Sequence, residues 1–69
     1  MNSANTNLLK AKLYLKGVKM NKLASQLEIS DSALYKKMNR KSEFTRFEIS
    51  NIIKCLGLDK DEVMEIFFD

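Results

Sequence analysis

The sequence predicts a single small all-α domain built from five helices. Three observations carry that expectation: apolar residues recur at spacings of three and four along most of the chain, proline is absent, and the two glycines, Gly17 and Gly57, each stand where a helical pattern stops. At 69 residues there is room for one core, and a domain of this size buries only about 60% of the surface its unfolded chain exposes. One cysteine and no histidine leave neither an intrachain disulfide nor a Cys/His metal site to reinforce such a core. Helix packing, alone or with self-association, has to hold it.

The elements follow in order. Residues 1–7 are polar and uncharged and are expected to be flexible, with the folded domain spanning 8–69. The first helix is expected from Leu8 to Lys16, capped by Asn7, with Leu9 and Leu13 inward and Gly17 as its stop. A second runs from about Asn21 to Leu27, with Leu23, Ala24 and Leu27 at helical spacing. Its start is vague, because Lys19 and Met20 are poor caps. Ser30 caps a third helix, Asp31 to Met38, in which Leu34 and Met38 face inward and the Asp31 carboxylate suits the positive end of the helix dipole. After the polar link 39–42, Thr45-Arg46-Phe47-Glu48 reads as a capping box opening a fourth helix to Leu56, with Ile49, Ile52, Ile53 and Leu56 as its stripe. Asp59-Lys60-Asp61-Glu62 repeats the arrangement and opens a fifth helix that ends in Ile66, Phe67 and Phe68.

The formal net charge is only +3, but it is unevenly spread. Residues 1–41 hold nine basic side chains against Glu28 and Asp31, a balance of +7, while residues 42–69 hold three against seven acids, a balance of −4. Such asymmetry suits a domain that turns one face to a polyanion, and it is equally what a solvated lysine-rich surface would show. No stretch of 18 or more apolar residues is present, and the start lacks the basic-then-apolar pattern of a secretion signal, so neither a membrane span nor export is expected. A lone free thiol, Cys55, fits a reducing compartment, and the cytoplasm is the expected location. Beside Leu56 that cysteine reads as a small apolar packing residue rather than a reactive group. Without histidine, and with its carboxylates at helix starts, the chain is not expected to be an enzyme or to carry a cofactor or metal.

The segment 21–38 carries the functional reading. Two short helices separated by only Glu28-Ile29-Ser30 must cross steeply. Ala24 is small where the helices touch, Ile29 plugs the turn, and Leu34 holds the third helix from behind, so its outward face is free to be polar. That face carries Ser32, Tyr35, Lys36 and Asn39, with Asp31 at its start. With Leu23-Ala24, Leu27, Ile29-Ser30 and Leu34 in these places, and two further helices after a loop, the chain from Leu8 to Phe68 resembles the Cro and phage-repressor type of helix-turn-helix regulators, the XRE family. Glu28 and Arg40 depart from it, each standing where members usually have glycine; at Glu28 a left-handed backbone would cost about 1 kcal/mol.

The resemblance implies a five-helix lambda-repressor-like domain that binds double-stranded DNA with the helix 31–38 in the major groove. It places Asp31, Ser32, Tyr35 and Lys36 at base edges. Lys36 ranks first, as a donor to guanine O6 and N7, while Ser32 can bond a base or phosphate and Tyr35 can lie against a thymine methyl. Asp31 can accept from a cytosine amino group or simply be a favourable first-turn acid. Lys19, Asn21, Asn39, Arg40 and Lys41 fall where such domains meet phosphates, positioning the protein without reading sequence. The resemblance also implies a homodimer on a pseudo-palindromic operator. Val63, Met64, Phe67 and Phe68 are the expected dimer surface; the alternatives are that they close a monomer core or meet a partner domain. Tyr14 is expected at the core rim. The rival function is a protein-binding module, such as an antitoxin-like or antirepressor subunit on the same fold. No small-molecule ligand is expected.

Overall fold

The computed structural model describes residues 4–68. Five α-helices and no strand occur among them: α1 Thr6–Leu15, α2 Met20–Leu27, α3 Asp31–Met38, α4 Arg46–Leu56 and α5 Lys60–Phe67. α2 packs on both α3 and α4, and α1 packs on α5. The chain measures 28 × 28 × 20 Å, so no side chain is far from the surface. The core is drawn from every helix: Leu9 and Leu13, Leu23, Ala24 and Leu27, Leu34 and Met38, Ile52 and Leu56, Ile66 and Phe67, with Leu58 between α4 and α5.

Local chemistry sets most helix starts. The Ser30 hydroxyl accepts from the Ala33 N–H at 3.1 Å, as expected for the start of α3. Both expected capping boxes are complete. Thr45 and Glu48 exchange bonds of 2.8 and 3.1 Å, and Asp59 and Glu62 bonds of 3.0 and 2.8 Å. α2 begins at Met20, and Lys19 before it makes no side-chain cap. α1 departs from expectation, because it begins at Thr6 with Asn5, not Asn7, accepting from the Leu8 N–H at 3.1 Å. The expected boundary between residues 7 and 8 therefore falls inside a helix. The cause is long-range: the Asn5 N–H donates to the Ile66 carbonyl at 2.6 Å and Thr6 is buried, so the end of α5 decides where α1 starts. Residues 1–3 lie outside the described residues.

Four helices end in one way. The chain reverses through a left-handed residue, Gly17, Glu28, Arg40 or Gly57, with φ between 60° and 69°. The following residue then donates back into the last turn: Val18 to Leu13, Ile29 to Ala24, Lys41 to Lys36 and Leu58 to Ile53, at 2.8–3.1 Å. Two of the four are glycine and carry no strain. Glu28 and Arg40 do, about 1–2 kcal/mol each.

One expected surface residue is in fact core. Phe67, expected with Val63, Met64 and Phe68 on a dimer surface, is only 6% exposed, and its ring meets Phe44 edge-on, centroids 6.3 Å apart at 88°. Phe68 is the one left outside. Tyr14 is likewise not a rim residue but 85% exposed.

Candidate functional site

α3 is mounted by its inward side. Leu34 and Met38 are buried, Ala24 of α2 is buried beneath the crossing, and Ile29 is half-buried in the three-residue turn, where its N–H bonds the Ala24 carbonyl at 3.1 Å. At 100° per residue this turns Asp31, Ser32, Tyr35, Lys36 and Asn39 onto one continuous outward arc. All five are exposed. Lys19, Asn21, Arg40 and Lys41 are exposed as well. The ion pairs among the described residues, Lys12–Glu62 and Lys37–Glu48, engage none of the nine. The arc and its flanks therefore present a serine hydroxyl, a phenol, two amides and four cations with no internal ion pair to satisfy them, beside one acid.

Two depressions divide these residues. A cleft of about 540 Å³ between α1, α2 and the start of α3 brings Lys19 and Asn21 together with Asp31 and Tyr35. A second, of about 440 Å³, groups Arg40 and Lys41 with Phe44, Phe67 and Phe68 beyond the end of α3. Ser32, Lys36 and Asn39 line neither and stand on the convex arc between them. Asp31, at the α3 N-terminus where its charge suits the helix dipole, lines the cleft that Lys19 also lines.

Sequence reasoning left three residues out of this region. Lys10 and Tyr14, four apart on α1, line the same cleft as Asp31 and Tyr35; their i,i+4 spacing was the available signal. Lys37 is the third, and it differs from its neighbour Lys36. Its ammonium lies 3.0 Å from Glu48 Oε1 and donates to the Glu43 carbonyl at 3.0 Å. Burial pushes the Glu48 carboxyl up, but the Thr45 N–H and the Lys37 ammonium more than offset this and hold it below the ordinary carboxylate value. On the other side of the molecule the Lys12 ammonium, 2.7 Å from Glu62, lowers that carboxyl, and the same bond raises Lys12.

The remaining assigned residues lie on α5. Met64 is 50% and Phe68 56% exposed, and Val63 is half-buried against the core. No three His, Cys, Asp or Glu side chains among the described residues converge as metal ligands would. No helix among them is long and apolar enough to cross a membrane. No protein-family model matches the chain, and no curated protein or solved structure does.

Proposed function

We propose that the chain is a sequence-specific double-stranded DNA-binding regulator of the Cro and phage-repressor type, with a lambda-repressor-like fold in which α2 and α3 form the helix-turn-helix and α3 enters the major groove. The observation that carries this reading is the outward arc of α3. Leu34 and Met38 hold the helix from behind, while Ser32, Tyr35 and Lys36 project as donors of the kind that read base edges. A helix about 10 Å across fits a groove about 12 Å wide. Lys19, Asn21, Asn39, Arg40 and Lys41 flank the arc where phosphates pass, and Lys10 and Tyr14 extend the same surface along α1.

A homodimer through α5 completes the reading, with Met64 and Phe68 as its apolar surface and Val63 behind them. Phe67 has no part in it. Sedimentation equilibrium at micromolar concentration is expected to give a dimer, and Phe68→Ser to shift it toward monomer; monomer throughout sinks this element.

The test of the function is selection of bound duplexes from a random-sequence pool, run beside Lys36→Ala. A palindromic consensus is expected, with the variant losing discrimination at one base pair by about 1–3 kcal/mol. A pool that never enriches, or binding that ignores salt, excludes DNA as the partner and leaves the protein-binding role, because lysine-mediated DNA contacts weaken steeply as salt rises.

A further inference from the structure

The exit of α3 is the exception among the four helix ends that reverse through a left-handed residue. After α1, α2 and α4 the residue that donates back into the last turn is apolar and packs on the core: Val18, Ile29 and Leu58. Such an apolar contact ordinarily locks this kind of reversal. After α3 the residue in that place is Lys41, which is exposed. Its reversal also turns on Arg40, which is left-handed without being glycine. The loop 39–45 is therefore deprived of the anchor its counterparts have, at the point where the proposed phosphate contacts Arg40 and Lys41 sit.

Lys37 supplies a different anchor. It lies one residue, about 100°, around α3 from Lys36 and is turned toward α4. Only 13% of its side chain is exposed. The ammonium joins the Glu43 carbonyl, at the far side of the loop, to Glu48 Oε1, and that same oxygen accepts the Thr45 N–H which starts α4. One buried carboxylate thus closes the loop and opens the next helix. Phe44, the loop's one apolar residue, lies edge-on to Phe67 of α5.

We infer that Lys37 is a positioning residue for DNA binding. By bridging Glu43 and Glu48 it fixes the loop that carries Arg40 and Lys41 relative to α3, and it strengthens binding through those two residues without touching DNA. This rests on the DNA-binding reading above.

The experiment measures affinity for the duplex the wild type selects, at a temperature where circular dichroism shows every variant folded. Lys37→Met is expected to bind about tenfold more weakly. In the Arg40→Gly/Lys41→Ala background the same change is expected to cost less than about twofold, because the residues it positions are gone. Lys37→Arg keeps the bridge and restores most of the affinity. Glu48→Gln still accepts the Thr45 N–H but lacks the charge, and it is expected to weaken binding as Lys37→Met does. Wild-type affinity in Lys37→Met, or a full tenfold loss in the Arg40→Gly/Lys41→Ala background, overturns the inference while leaving DNA binding intact; the latter result would make Lys37 a direct contact. A wild type that selects no duplex removes the DNA reading itself.

Discussion

α4 and α5 begin on complete capping boxes, and α4 ends on a glycine. α2 begins on an uncapped lysine and ends on a left-handed glutamate, and α3 leaves through a left-handed arginine. The same short chain thus builds one half from residues suited to their backbone positions and the other, the Ser30 cap of α3 apart, with residues at its helix ends that are not. Serine at 19 and glycine at 28 and 40 would serve the fold better. The comparison teaches that the α2–α3 half gives up local stability where it carries its basic surface, and that the α4–α5 half, together with the common core, compensates.

The largest effect expected tests the shared core. Leu34→Ala, behind α3, should cost about 2–5 kcal/mol in denaturant unfolding, and so should Ile52→Ala in α4. A loss below about 1 kcal/mol at Leu34 alone would mean that α3 is not held by the core that holds α4. Next come the caps. Thr45→Ala and Asp59→Ala should each cost about 1 kcal/mol. Their glutamates make the acidic half the acid-sensitive one. Glu48 and Glu62 both have carboxyls held below the ordinary glutamate value of about 4.5. The stability they contribute is therefore complete above about pH 4.5 and disappears as pH falls through their lower folded values. Thermal melts of Glu48→Gln should fall less steeply with acid than those of the wild type; parallel curves would show that the pair does not govern acid unfolding.

Smaller effects sharpen the contrast from the other side. Glu28→Gly and Arg40→Gly relieve about 1–2 kcal/mol of strain each, against about 0.4–1 kcal/mol of added unfolded-chain entropy, so each should stabilise by roughly 0.5–1 kcal/mol. Gly57→Ala, with nothing near the added methyl but φ +61°, should move the opposite way. The smallest gain is expected from Lys19→Ser, about 0.5 kcal/mol from a new cap at α2, accompanied by weaker DNA binding. A Lys19→Ser variant that binds as tightly as the wild type would separate that lysine from the proposed surface.

What could be read from the sequence is what neighbouring residues decide among themselves. The limits of α3, its Ser30 cap and both capping boxes are interactions over three residues, and they are where the spacing puts them. The left-handed turn at Glu28 was legible only through the resemblance, in which glycine usually holds that place. Elements decided at long range were not legible. α1 starts early because the Asn5 N–H reaches Ile66, and nothing in the pattern around Asn5 and Asn7 separates one asparagine from the other. The choice between Phe67 and Phe68 depends on Phe44 in a distant loop. Within the candidate site the outward arc of α3 followed from Leu34 and Met38. Lys37 did not stand apart from Lys36 until α4 placed Glu48 beside it.

The two left-handed residues that flank α3 also bear on how the molecule breathes. Each stores strain that is released once the chain on either side of it is free. Local opening of α3 releases both at once, about 2–4 kcal/mol together, so this helix is expected to open in excursions that leave α4 closed. Its amides are expected to exchange with solvent ahead of those around Ile52 in a hydrogen-exchange measurement. Whatever grips the outward arc also suppresses those excursions, and protection gained on binding will be concentrated between residues 31 and 41.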